Sequence, residues 1–251
     1  MLRDKWENSP SKVDLLSYFP GRNYQTLMQR ATLLGVKSKN RRSKRGNLTF
    51  INTETKDSWY WWGFIVADGF LYPDGGVEVS IDELDEVHLE KLASKLNTKV
   101  KSYGKIRRIG IHQRDFKTLW YTVLNHRGPK TYFPLNTDVF LTDNLPYFFI
   151  GLVDGDGCIW KTGKNFYNLR IEIHGSWLDE LTKIGNKLKE FGVKSRVFIN
   201  KRGRANIEII DKESLIILEQ YSKSVERLER KWIKLNPLLP TRQVLSELTG
   251  K

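Results

Sequence analysis

A single cysteine, Cys158, stands in a chain of 251 residues, which excludes an internal disulfide framework and a zinc site built from several thiols. The four histidines (His88, His112, His126 and His174) are scattered and show no zinc-ligand spacing. No apolar run is long enough to cross a bilayer and no N-terminal stretch has the layout of a secretory signal. A reducing, cytoplasmic setting is therefore expected, in a prokaryote, a phage or an organelle. Acids are also short: 29 Asp and Glu stand against 42 Lys and Arg, a net charge of +13. Nucleic acid is the leading partner for such a balance, because phosphate contacts supply much of the affinity. A solvated basic surface is the plainer alternative.

What is present is a pattern that occurs twice. Trp61-Trp62-Gly63-Phe64-Ile65-Val66-Ala67-Asp68-Gly69 is matched by Phe149-Ile150-Gly151-Leu152-Val153-Asp154-Gly155-Asp156-Gly157. Each copy is an apolar run that ends in Asp-Gly. The carbonyl end of a helix carries partial negative charge, so a carboxylate there is disfavoured unless something positive is near. A divalent metal held between two acids is the simplest candidate. Gly63 and Ala67, like Gly151 and Gly155, lie one helical turn apart and form a strip of small residues along which two backbones can approach closely. Gly69 and Gly157 stand where helix-terminating glycines belong. Two helices packed through these strips would bring Asp68 and Asp156 out side by side. Two buried core helices with ordinary Asp-Gly turns are the bland reading, and duplication with matched small residues argues against it.

The rest of the chain repeats in the same order. After the first motif, residues 77–81 alternate as a strand, 82–96 read as a helix, 101–103 and 105–112 as a strand pair about Gly104, and 115–125 as a helix. After the second motif come strands at 159–162 and 168–174, a helix at 176–191, strands at 195–201 and 205–210, and a helix at 211–221. Each half thus reads α-β-β-α-β-β-α, a mixed α+β fold with antiparallel sheets. The expected segmentation is an N-terminal extension with a basic linker (1–50), a first repeat (51–140) and a second repeat (141–251).

On these two motifs the chain resembles the LAGLIDADG homing endonucleases of the single-chain, two-repeat kind, over roughly residues 57–237 by element periodicity. Trp61 and Trp62 are bulkier than the usual first two residues, and Val66 stands where the second copy has Asp154. The resemblance implies that the motif helices, through Gly63 and Gly151, form the interface between pseudo-symmetric halves with saddle-shaped sheets. It also implies that Asp68 and Asp156 bind the catalytic metal, with Ala67 and Gly155 beside them in the metal set. Two or three magnesium ions shared between the acids are the expected cofactor, since carboxylate, water and phosphate oxygens suit that ion. The family's basic residues near the scissile phosphates correspond in position to Lys130 and Lys231, each after the last helix of its half.

The strands offer a base-reading face. Arg170, Glu172 and His174 alternate with apolar residues in one strand, Arg204, Asn206 and Glu208 in another, with Arg196 in the strand between. Glu78, Ser80, Lys101, Tyr103, Lys105 and Arg108 occupy the same kind of position in the first half. Arg to guanine, Asn to adenine and acids to cytosine are pairings that major-groove geometry favours. For any one of these residues an ordinary solvated sheet face is the competing reading.

The first fifty residues differ in character. Residues 11–19 read as a short helix stopped at Pro20-Gly21. A second helix at 23–34 sets Leu27, Ala31 and Leu34 on one side and Arg30 outward, closing at Gly35. The pair has the periodicity of a helix-turn-helix DNA-binding unit, or of a packing appendage. The basic run 37–45, with Arg41 and Arg42, is expected to lie against phosphates. Three functions follow. The first is a site-specific endonuclease that makes a staggered break in a long double-stranded DNA target. The second is a cleavage-silent DNA-binding regulator or an RNA-binding intron maturase of the same fold. The third is the nuclease part of an intein. An intein should begin with a nucleophile and end at Asn, whereas this chain begins at Met1 and ends at Thr249-Gly250-Lys251, so a free-standing monomeric endonuclease is expected.

Overall fold

Thr55 starts the first motif helix with a capping box: its hydroxyl accepts from the Ser58 N–H (3.2 Å) and the Ser58 hydroxyl accepts from the Thr55 N–H (3.1 Å). The helix that follows, α1 (Lys56–Asp68), is buried at every position from Ser58 to Ala67. A helix that is apolar all round belongs in the middle of a fold. The computed structural model describes residues 16–23, 26, 27, 30, 54–71, 76–112, 136–163 and 166–238. The chain divides into two compact units, Met1–Arg45 and Gly46–Lys251.

In the larger unit α1 leads into β1 (Gly69–Leu71), β2 (Gly76–Asp82), α2 (Glu86–Lys95), β3 (Lys101–Tyr103) and β4 (Ile106–His112). The second half repeats this as α3 (Leu145–Asp156), β5 (Gly157–Thr162), β6 (Phe166–His174), α4 (Leu178–Leu188), β7 (Arg196–Ile199) and β8 (Arg204–Ile209). It continues into α5 (Lys212–Ser222) and a short α6 (Glu229–Trp232). The two sheets are antiparallel, with matching orders β1-β2-β4-β3 and β5-β6-β8-β7. One face of each is apolar: Val77, Val79 and Ile109 lie with Leu89 and Leu92 of α2 in the core, and Leu169, Ile171, Ile207 and Ile209 with Leu181, Ile184 and Leu188 of α4. The architecture is that expected, two pseudo-symmetric α/β halves about a central helix pair.

The helix strips meet as their small residues predict. A Cβ added at Gly63 would lie 1.9 Å from the Phe148 carbonyl oxygen, and one at Gly151 would lie 2.0 Å from that of Tyr60. Neither backbone could approach so closely past any side chain. Trp61 and Trp62 are accommodated by aromatic neighbours: Trp61 lies 4.8 Å from the His88 ring, and Trp62 packs on Phe140 at 6.1 Å between centroids.

The motif glycines end their helices for a reason other than the one inferred from the sequence. Gly69 (φ −79°, ψ 143°) and Gly157 (φ −88°, ψ 160°) are extended, not left-handed, and each begins a strand at once. Glycine is required there by crowding: a Cβ would sit 2.2 Å from the Ile65 carbonyl oxygen at Gly69 and 2.6 Å from that of Val153 at Gly157. The three-residue β1 is the other strand that the α-β-β-α-β-β-α order requires after the first motif, and it is too short to show a period of its own. The expected helix at 82–96 is α2 preceded by a 3-10 turn, Glu83–Asp85, and that at 176–191 is α4 between two such turns. The helix expected at 115–125 falls outside the described residues.

In the smaller unit the chain turns after a helical Leu16 and Ser17, with Gly21 in the left-handed region (φ 77°) as the Pro20-Gly21 stop requires. Asn23 then accepts from the Thr26 N–H at 2.8 Å, the bond of a helix N-cap. No helix among the described residues is long and apolar enough to cross a membrane.

Candidate functional site

Close packing of α1 on α3 decides where the motif acids end up. A Cβ at Gly155 would lie 2.2 Å from the Ala67 Cβ and 3.4 Å from Cγ of Asp68. The carboxylate of one motif therefore stands against the last turn of the other, beside the residue that precedes Asp156. Both acids leave their helices at the same end, where each chain passes directly into the first strand of its sheet. Asp68 is half-buried and Asp156 exposed, so the pair faces solvent. Among the described residues no group of three or more His, Cys, Asp or Glu side chains gathers as a metal cluster.

Beneath this end lies a polar knot. Asp154 is 1% exposed, and its carboxylate accepts from the Tyr60 hydroxyl (2.7 Å), the Leu228 N–H (2.8 Å) and the Trp232 indole N–H (2.7 Å). Burial pushes its pKa up to about 6 against the pull of these donors. Tyr60 is also 2.8 Å from His88 Nε2. Since the tyrosine gives its proton to Asp154, the histidine donates, which fixes it as the neutral Nε2–H tautomer. Burial holds the His88 pKa down at about 3, consistent with a neutral ring, and raises that of Tyr60 well above the ordinary phenol value.

Lys231 lies in the same place. Its Nζ donates to the carbonyls of Val153 (2.9 Å), Asp154 (2.5 Å), Gly155 (3.1 Å) and Gly157 (2.9 Å). The carbonyl end of α3 therefore has a positive partner within the chain, where the sequence had suggested only a metal. Burial lowers the Lys231 pKa, against the opposing effect of Asp154. Gly155, expected in the metal set, already shares its carbonyl with this ammonium. Lys130 falls outside the described residues, as do Arg41 and Arg42.

The open sheet faces hold the other predicted residues. Glu78, Ser80 and Arg108 share one face of the first sheet with Lys101 and Tyr103, because Ser80 pairs with Arg108, and Arg108 with Lys101. Arg108 binds Glu78 (3.0 Å) and lies 4.9 Å over the Tyr103 ring. Lys105 is exposed in the turn between β3 and β4. Arg107 points the other way, to Glu86 (2.6 Å) and Glu83. In the second sheet Arg170 pairs across the ladder with Glu208 (2.7 Å) and stacks over Trp160 at 4.9 Å. Arg196 stacks over Phe198 at 4.8 Å.

Glu172 accepts from Asn200 (2.8 Å), and His174 Nδ1 accepts from the Ser176 N–H, closing a 3-10 turn. Arg204 is exposed on the same face. Asn206 shares this face by register yet is fully buried, with its amide nitrogen bound to the Arg204 carbonyl. Glu208 is held by Arg170. Arg30, in the smaller unit, is exposed. Sequence reasoning missed Trp160 and Phe198. Their signal was the strand period that sets Trp160 beside Asn168 and Phe198 two places from Arg196.

No family model matches the chain, and no curated protein matches it in sequence. Among solved structures it is similar to the homing endonuclease I-WcaI bound to its DNA recognition sequence, at 15% identity and TM-score 0.57, over 90% of this chain and 98% of that one. The LAGLIDADG homing endonuclease I-GzeII in complex with its DNA target matches at 12% identity and TM-score 0.48, over 76% of this chain and 95% of that one. The first likeness shows that the chain shares the fold of I-WcaI.

Proposed function

We propose that this chain is a site-specific DNA endonuclease of the LAGLIDADG homing type, a monomer with internal pseudo-two-fold symmetry that makes a magnesium-dependent staggered double-strand break. The observation that carries this reading is the contact of Asp68 with the last turn of α3, beside Asp156, at the end of the helix pair where both sheets begin. The donor set fits the ion: magnesium keeps several waters and takes one or two protein carboxylates together with phosphate oxygens. When bound, the metal would supply activation of water and stabilisation of the oxygens exchanged at phosphorus.

The chain's own residues have separate tasks. Asp68 and Asp156 are metal ligands. The open faces, with Arg108, Arg170, Arg196 and Arg204 and with Lys101, Lys105 and Tyr103, are the surface that meets the groove. The net charge of +13 supplies phosphate affinity. The shared fold with I-WcaI, which is bound to DNA, supports the same assignment.

The test is a cleavage selection: protein with magnesium is incubated with a DNA library, recovered ends are sequenced, and the Asp68→Asn, Asp156→Asn double variant is the control. A dominant staggered cut absent from the control is expected. Tight binding with no metal-dependent cut would replace this reading with the cleavage-silent regulator or the RNA-binding maturase.

A further inference from the structure

Lys231 has a position that the proposed endonuclease chemistry does not by itself require. It is 7% exposed, it comes from α6, and its ammonium sits at the focus of four carbonyls from the last turn of α3 and the residue after it. An ammonium has three protons. Four acceptors within 3.1 Å engage all of them, and none is left for a phosphate oxygen. The four carbonyls bracket Asp156, since Gly155 precedes it and Gly157 follows it.

The neighbours of Lys231 hold α6 in place. Trp232 and Leu228 bind Asp154 of α3, and Arg230 binds Asp85 of the first half through both of its carboxylate oxygens (2.6 and 2.5 Å). Glu226 reaches Lys95 (3.1 Å) and Lys91 (3.8 Å) of α2. The segment from Glu226 to Trp232 is thus fastened to both halves, and Lys231 is the point at which it grips the end of the second motif helix.

We propose that Lys231 is a positioning residue for Asp156: its buried ammonium closes the carbonyl end of α3, fixes where the acid leaves the helix, and does not contact the DNA. This inference rests on the assignment of Asp68 and Asp156 as metal ligands. A lysine that touches a phosphate and a lysine that aims a metal ligand make different predictions, because the first contributes to the salt dependence of DNA binding and the second to metal affinity.

Both are measured on the full chain. Metal binding is followed by luminescence on titration with terbium alone, with Asp156→Asn as reference, and binding of a duplex oligonucleotide is followed in chelator over a range of salt. Lys231→Met keeps the stem and removes the charge. It is expected to weaken terbium binding about tenfold, as loss of a ligand's supporting contacts does, and to leave the salt slope unchanged. Unaltered terbium affinity, or a salt slope reduced by roughly 1, the signature of a lost phosphate contact, would overturn the proposal.

Lys231→Arg serves if the methionine protein does not fold. It keeps a charge able to reach a phosphate, but its planar donors cannot converge on four carbonyls, so terbium affinity should fall several-fold. Wild-type affinity in that variant would also overturn the inference. If terbium binds the wild type and Asp156→Asn equally well, the metal-ligand assignment itself fails, a result distinct from failure of the Lys231 role alone.

Discussion

In α1 the residue two places before the final acid is Val66, buried among apolar side chains; in α3 the same place holds Asp154, equally buried but accepting three hydrogen bonds. Around this one difference the helices match. Gly63 and Gly151 each meet a carbonyl of the other helix, and Ala67 lies against Gly155. Backbone packing repeats because both helices use the same surface for the same contact. The polar knot has no copy at Val66, which offers no acceptor, whereas Asp154 receives the Leu228 N–H and the Trp232 indole. The larger unit is thus a symmetric scaffold with an asymmetric fastening, and the sheets extend the contrast: at matched ladder positions the first has Glu78 opposite Gly110 and the second has Arg170 opposite Glu208.

The symmetric part should fail most severely when broken. Gly63→Ala or Gly151→Ala places a methyl group within 2.0 Å of a backbone oxygen that cannot rotate away. Overpacking of this kind is expected to cost about 3 kcal/mol or more, or to prevent folding, with similar loss in both variants. Urea denaturation measures it, and a tolerated alanine at one site only would show that the helix contact is not symmetric after all.

The asymmetric part should be next. Asp154→Val turns the second motif into the first and leaves the Tyr60 hydroxyl, the Trp232 N–H and the Leu228 N–H buried without their acceptor. Each such orphan costs about 1–3 kcal/mol, so a total of about 3 kcal/mol or more is expected. Adding Tyr60→Phe should cost less in this background than in the wild type, because the hydroxyl it removes has already lost its Asp154 acceptor. A double-mutant cycle with no coupling would mean that Tyr60 and Asp154 do not share this bond in solution.

The symmetric features were readable in the sequence and the asymmetric ones were not, for a physical reason. Strand alternation set Arg108, Arg170 and Arg204 on the open faces, and small residues one turn apart announced the helix contact; both are local periods of the backbone. The knot joins Tyr60, His88, Asp154 and Trp232 across more than half of the chain, and no period connects them. Lys231 was found as a basic residue in the right segment, but its grip on the α3 carbonyls depends on α6 docking beneath the motif end. The charge conflict at the motif Asp pointed to a metal; in α3 a lysine of the chain stands at the helix carbonyls, a positive partner that no local pattern announces.

The smallest effect tests the knot by proton linkage. His88 is held at about 3, below its ordinary 6.5, so its contribution to stability is fully present above about pH 6.5 and is lost as the pH falls toward 3. Asp154 is raised from 3.8 to about 6, so its contribution is present below about pH 3.8 and is lost as the pH rises through 6. Each contributes a slope of up to about 1.4 kcal/mol per pH unit. The two slopes have opposite sign and offset each other between about pH 4 and 6, the range that both shifts share. Asp154→Asn should therefore gain stability relative to the wild type as the pH rises from 4 to 6, whereas His88→Gln should lose it over the same range. Urea midpoints at pH 4, 5 and 6 decide this, and curves that run parallel to the wild type would show that neither group is buried in its neutral form. Val66 gives α1 no proton to exchange, so the response comes from His88 of the first half and Asp154 of the second, joined through the Tyr60 hydroxyl.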